Sequence, residues 1–313
     1  MTRSAASQKV VYAALVGNLL VALTKFAAAT ISGSAAMLSE GVHSLVDSGN
    51  EVLLLYGLRQ AAKQPTEQHP LGFGRELYFW SFVVSVVIFG LGSGFAIVEG
   101  LNHILHPAAV SHQGLTITVL VCSMVFEGGS WWVAFKSFRQ VKGERGYIEA
   151  ARESKDPTSF MVLFEDSAAL IGLVIALAST IAGPALHAPY LDGAASLLIG
   201  LILAVTAAFL ARESKALLIG EGADPRLSAS ILRLAATPDM HPNGVFTVHL
   251  GPDQVVAALS LEFADSLTAP RIEASVVDLE QRIRAQHPEV IALYVKPQTP
   301  ATYRAKRGSL SDA

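Results

Sequence analysis

The stretch AMLSEGVHSLVDSGNEVLLLYGL, residues 36–58, is apolar and long enough to cross a bilayer as a helix, yet it carries His43 and Asp47, with Asn50 and Glu51 just beyond. A helix rising about 1.5 Å per residue needs roughly 20 residues to span the ~30 Å hydrocarbon core. Residues four apart stand one above the other on a single helix face. An imidazole nitrogen from His43 and a carboxylate oxygen from Asp47 can therefore reach one small divalent cation. Ionisable groups at membrane depth cost about 2.5 kcal/mol or more each and mark ion or proton pathways. The competing explanation is a satisfied polar pair that holds two helices together.

The rest of the chain supports a membrane setting. It has 313 residues, of which 51% are hydrophobic and only 16% charged, and its mean hydropathy is +0.44. This is far more apolar than a soluble protein of its length. Six segments are long and apolar enough to span: 10–31, 36–58, 76–99, 114–137, 160–183 and 191–211. The connections 32–35, 100–113 and 184–190 contain no Lys or Arg, whereas Arg3, Lys9, Arg59, Lys63, Arg75, Lys136, Arg139, Lys142, Arg145, Arg152, Lys155, Arg212 and Lys215 fall on the other side. Positive charge stays inside, so both termini are expected in the cytoplasm. The short polar start runs into the first span without a cleavage pattern, and no transit peptide is apparent, which predicts a bacterial inner membrane. The single cysteine, Cys122, leaves neither a disulfide framework nor a four-thiolate zinc site within the chain. The basic segment 136–155 reads as a cytoplasmic connector facing anionic headgroups, with nothing pointing to nucleic acid.

After residue 211 the composition becomes that of a soluble domain, with 11 Lys and Arg against 12 Asp and Glu in 212–313. The predicted domains are therefore 1–211 in the membrane and 212–313 in the cytoplasm. Asp224-Pro225 predicts an N-cap and first turn for a helix running to about Ala236. Strands are expected at 244–250 and 255–263 around the turn Gly251-Pro252-Asp253. A second helix carries the stripe Ile272, Val276, Leu279 and Ile283 until His287-Pro288, and 290–295 forms a last strand. This order predicts an α+β sandwich of one sheet with two helices on one face. His241, His249 and His287 are read as surface or core residues before metal ligands.

Further polar residues lie within the other predicted spans: Lys25, Glu127, and the neighbouring pair Glu165 and Asp166. Three carboxylates beside an imidazole suit zinc or a similar transition metal, which takes about four N or O ligands near 2 Å. A bound divalent ion would hold those groups ionised, and protons can replace it when it leaves. Lys25 is a poor ligand and reads as snorkelling or paired with a buried carboxylate. Glu51 is equally an extension of the acidic face, a partner for Lys25 or a gate. Gly90, Gly92 and Gly94 suggest close helix packing.

With these residues in place, the chain resembles the cation diffusion facilitator family of divalent-metal transporters over nearly its whole length. The likeness rests on Ser39-Glu40-Gly41-Val42-His43-Ser44-Leu45-Val46-Asp47, on His69-Pro70-Leu71-Gly72-Phe73-Gly74-Arg75, and on Asp192-Gly193-Ala194-Ala195-Ser196-Leu197-Leu198-Ile199-Gly200. The resemblance implies an α-helical membrane protein: a homodimer of six-helix subunits, each followed by a cytoplasmic ferredoxin-like domain, exporting zinc or a related ion in exchange for protons. It also implies a transport site built from two H/D-x-x-x-D motifs, on the second and fifth spans. His43 and Asp47 match the first motif and Asp166 the last position of the second. The position four residues before Asp166 is Val162, which cannot bind metal. Glu165, turned about 100° around the helix, and Glu127, from the fourth span, are the candidates to replace it. The run Leu163-Phe164-Glu165-Asp166-Ser167-Ala168-Ala169, with Glu127-Gly128-Gly129 upstream, looks like the branch that includes the mitochondrial zinc transporter numbered nine. Where some members bind further metal, this chain keeps His69 but has Phe73, Phe246 and Val295 at other ligand positions. A C-terminal domain that dimerises without the usual metal cluster is therefore expected.

Together these features predict a proton-coupled exporter with His43, Asp47 and Asp166 as ligands and Glu127 or Glu165 completing the set. The imidazole favours zinc over manganese, with cobalt, iron(II), nickel and cadmium as alternatives. The rival prediction is a regulatory or scaffold membrane protein that keeps the fold without transporting. An enzyme is disfavoured, because the chain has no H-E-x-x-H and no nucleophile elbow.

Overall fold

A computed structural model describes residues 18–107 and 112–311. Along its length run α1 (Asn18–Ser32), α2 (Ala35–Ala61), α3 (Arg75–Val87), a π-helical turn (Ile88–Ser93), α4 (Gly94–Leu105), α5 (Gln113–Lys142), α6 (Tyr147–Glu153), α7 (Pro157–Ala185) and α8 (Tyr190–Ile219). The C-terminal elements are α9 (Pro225–Ala235), β1 (Met240–Gly251), β2 (Gln254–Phe263), α10 (Ala269–Gln286), β3 (Val290–Pro297) and α11 (Pro300–Ser311). Among the described residues, four helices are long and apolar enough to cross a membrane: Arg75–Leu105, Gln113–Gln140, Phe160–Ala185 and Tyr190–Ile219. The described part of the first predicted span is the shorter apolar helix Asn18–Ser32, and residues 10–17 of that prediction lie outside the described residues. The second span is present as a 27-residue helix that carries Glu40, Asp47, Glu51 and Arg59 and is not one of those four.

The chain forms two compact units, one comprising residues through Arg59 and Leu77–Lys215, the other Gln60–Glu76 and residues from Ala216 onward. In the first, α5 packs along α7. Apolar clusters around Val84, Ile88, Phe160 and Leu210, and around Met37, Leu120, Leu173 and Ile199, fill the space between helices. The outward faces remain apolar, with Val125, Phe126, Trp132, Val133 and Val205 at least 60% exposed, as lipid contact requires. Asp192 at the start of α8 accepts hydrogen bonds from Ser34 Oγ and from the backbone N–H groups of Ala35 and Ala36. It thereby caps the N-terminus of α2 from another helix, where orphan N–H groups and the helix dipole favour an anion.

The glycine expectation is corrected by position. A Cβ at Gly90 would meet nothing within 4 Å, and one at Gly92 only Leu203 at 3.8 Å. Gly90 and Gly92 fall inside the π-helical turn, whose widened ring interrupts the helical ladder. The close approaches are at Gly100, Gly193 and Gly200. A Cβ at Gly100 would lie 2.5 Å from Leu197 N, and one at Gly200 would lie 2.9 Å from Ile97 N. The basic segment 136–155 is also more ordered than expected of a connector. Helix α5 continues to Lys142, and α6 is bounded by Gly146 and Ser154. Likewise α8 runs on through residues 212–219.

The second unit follows the predicted order. Asp224 caps α9 by accepting the Arg226 N–H, with Pro225 in the first turn. β1 and β2 pair antiparallel across the expected turn. β3 joins β2 in parallel after the α10 crossover, giving the sheet order β1-β2-β3. Ile231, Val255, Ala257, Leu259, Leu261, Leu279 and Ile283 form its fully buried core. Two features were not anticipated. α11 follows β3, and Tyr303 on it packs over Gly244. Gly74, in the segment between α2 and α3, lies against the backbone of Leu250 and the side chain of Gln254.

Candidate functional site

Helix α2 carries Glu40, His43, Ser44, Asp47, Asn50 and Glu51 at steps of three and four residues, so they share one face. That face turns inward: Glu40, His43, Ser44 and Asn50 are buried. Asp47 and Glu51 border a cavity of about 40 Å³, more than the ~10–15 Å³ one water requires. Its wall is completed by Asn18 and Val21 from α1, Ser44 and Leu54 from α2, Phe126, Glu127 and Ser130 from α5, and Val162, Glu165 and Asp166 from α7. Five carboxylates therefore border one cavity from three helices.

Each carboxylate on the wall is held differently. Glu165, one residue round α7 from Asp166, accepts a hydrogen bond from Asn50 Nδ2 and meets Asp47 across the helix interface. Asp166 Oδ2 accepts from Ser130 Oγ at 3.0 Å. Glu51 Oε1 accepts from Asn18 Nδ2 at 2.9 Å. Glu127 Oε1 lies 3.3 Å from the ammonium of Lys25. His43 sits behind the wall with Nε2 3.4 Å from Asp47 Oδ2, in contact but without hydrogen-bond geometry.

The face is conspicuously short of partners. Among the described residues, both ring nitrogens of His43, Asp47 Oδ1, Asn50 Oδ1, Glu51 Oε2 and Glu40 Oε1 are buried without a hydrogen bond. Leaving such an atom unsatisfied costs about 1–3 kcal/mol. Six on one helix face is a large burden for folding alone, and a cation with N and O preferences is the ligand such donors suit.

Of the residues expected from the sequence, the structure brings Asp47, Glu127, Glu165 and Asp166 to one cavity and sets His43 against Asp47. It does not bring them to coordinating distance. Among the described residues, no three His, Cys, Asp or Glu side chains are placed to hold one metal ion as they stand. Val162 reaches the wall, so the vacant position of the second motif is an apolar patch beside the carboxylates. Polar neighbours of the site overlooked in the sequence include Glu40, Asn18 and Ser130. Glu40, three residues before His43, was detectable by the same spacing argument. Asn18 carried no such signal.

The histidines of the second unit have structural partners. His249 Nδ1 lies 3.1 Å from the Gly251 carbonyl, and His287 Nε2 lies 2.7 Å from Ser230 Oγ. His241 is exposed.

The cation efflux transmembrane domain matches residues 11–219. Metal tolerance protein C4 of Arabidopsis thaliana is 34% identical over 229 residues, which is 72% of this chain and 50% of that protein. The mitochondrial proton-coupled zinc antiporter SLC30A9 of Xenopus laevis is 34% identical over 219 residues, 69% of this chain and 39% of the relative. Magnetosome protein MamM of Paramagnetospirillum magneticum is 30% identical over 122 residues, 39% of this chain and 37% of that protein. The chain thus spans half or less of the length of these relatives.

Proposed function

The chain belongs to the cation efflux family of divalent-metal transporters, and we propose that within it this protein exports zinc in exchange for protons by alternating access. The observation that carries the reading is the cavity walled by Asp47, Glu51, Glu127, Glu165 and Asp166, with the unpartnered His43 behind it. An imidazole among carboxylates suits zinc, and groups that bind a divalent ion can take up protons when it departs. Cobalt, iron(II), nickel, cadmium and manganese are the alternative cargoes. SLC30A9, which is similar to 69% of this chain, is by name a proton-coupled zinc antiporter.

In this reading α1, α2, α3–α4, α5, α7 and α8 supply the six spans of a membrane domain at residues 1–211, with α8 continuing beyond it to Ile219. Residues 212–313 form a cytoplasmic, ferredoxin-like domain that joins two copies without a metal cluster of its own. The placement of Lys and Arg supports termini on the cytoplasmic side, and a bacterial inner membrane is the proposed residence. The transport ligands are His43, Asp47 and Asp166, with Glu127 or Glu165 replacing the ligand absent at Val162.

The test is zinc uptake into proteoliposomes carrying an internal zinc indicator under an imposed pH gradient. Native protein is expected to take up zinc in a gradient-dependent way and Asp47→Ala to be silent. Loss also in Glu127→Ala identifies Glu127 as the fourth ligand, whereas activity there points to Glu165. A native chain that moves none of these metals is instead the non-transporting scaffold that the apolar Val162 patch would suit.

A further inference from the structure

We propose that Lys25 is a tethered cation that holds Glu127 away from the metal, so that zinc must displace it to complete its ligand set. The proposal rests on the transport reading of the cavity.

Lys25 is fully buried on α1. Its ammonium has three hydrogens, and it has three acceptors: Ser44 Oγ at 2.7 Å, Glu40 Oε2 at 3.3 Å and Glu127 Oε1 at 3.3 Å. A charge-assisted hydrogen bond is ordinarily about 2.7–2.9 Å, so the ammonium is shared between two carboxylates and grips neither closely. The two differ in freedom. Glu40 is sealed in, with its Oε1 where a Cβ on Gly172 of α7 would come within 2.5 Å, and it does not border the cavity. Glu127 borders the cavity and is 15% exposed. Glu40 is therefore the fixed anchor and Glu127 the free arm.

Among the cavity carboxylates, Asp166, Glu51 and Glu165 accept hydrogen bonds from neutral side chains, and Asp47 contacts the imidazole of His43. Glu127 is bound to a permanent cation instead. A divalent ion that takes Glu127 exchanges one positive partner for another. Such a swap lowers affinity, because each binding event must break the Lys25 contact. It speeds departure, because the ammonium recaptures the carboxylate as the metal leaves. The arrangement also accounts for ligands that gather around one cavity without converging.

Titrating the full-length protein in detergent with zinc by calorimetry, alongside uptake kinetics, tests this. In Lys25→Met/Glu40→Gln one positive and one negative charge are removed together, so the net charge around the site is unchanged. Zinc is expected to bind about tenfold more tightly, with KM and maximal uptake both lower. Lys25→Arg, whose fork grips a carboxylate with two parallel hydrogen bonds, is expected to bind zinc several-fold more weakly. It carries the test alone should the double variant fail to fold. A purely structural lysine would alter the melting temperature while leaving zinc affinity unmoved in folded variants. Unchanged or weaker binding in the double variant, or unchanged or tighter binding in Lys25→Arg, overturns the proposal. A native protein that binds zinc and passes the uptake test while the folded variants bind zinc with native affinity is a failure of the Lys25 proposal alone. A native protein that binds no divalent metal removes the transport reading and this proposal with it.

Discussion

The interior of the membrane unit combines apolar clusters with a seam of buried ionisable groups, whereas that of the C-terminal unit is mainly aliphatic. In the C-terminal unit the buried core is aliphatic, with Ile231, Leu259, Leu261, Leu279 and Ile283 all removed from solvent. In the membrane unit the same degree of burial is given to Lys25, Glu40, His43 and Asn50. Apolar burial contributes about 25 cal/mol per Å² to folding, whereas buried charges often stabilise less than apolar side chains of similar size. The second unit is therefore organised for stability. The polar seam of the first is kept against a thermodynamic cost, which points to what it binds.

That contrast breaks most visibly at Asp47. Asp47→Ala is expected to bring zinc uptake down to the level of protein-free liposomes while the melting temperature in detergent stays within about 2 °C of native, since the change removes an unsatisfied buried oxygen. A large fall in melting temperature would make the seam structural and erase the distinction. Leu279→Ala is the mirror experiment. Truncating a fully buried leucine costs about 2–5 kcal/mol, so scanning calorimetry should show the C-terminal transition lowered with zinc affinity unaltered.

Gly100→Ala sharpens the comparison within the membrane unit. The added methyl would press on the backbone of Leu197 and Gly193, and overpacking of this kind costs about 1–3 kcal/mol. Thermal denaturation should report it, and a neutral result would mean that α4 and α8 separate easily. The smallest effect is expected at Asp224→Ala, where loss of the α9 N-cap costs about 1 kcal/mol, readable as a small downward shift of the C-terminal melt.

Much of this was legible in local sequence. The spacing of His43 and Asp47 on a helix of spanning length, the Asp224-Pro225 cap and the turn at Gly251-Pro252-Asp253 depend only on near neighbours. What escaped depends on long-range partners. Lys25 meets Glu127 across 102 positions, and Asp192 reaches Ala35 across 157. No period in the chain encodes such encounters. The close glycine contacts were misassigned to Gly90–Gly94 because a glycine-rich run signals permissiveness, while the tight crossing is decided by which neighbour approaches. α6 and α11 were missed because short polar helices have little hydrophobic periodicity to display.

The cap that Asp192 places on α2 also has a mechanical meaning. It fastens the N-terminal end of α2 to α8, so that any tilt of the helix would pivot near Ala35. Asp47 lies twelve residues along the helix from that pivot, about 18 Å at the helical rise of ~1.5 Å per residue. A swing of about 10° there displaces the carboxylate by roughly 3 Å, more than the length of the ~2 Å bond between zinc and oxygen.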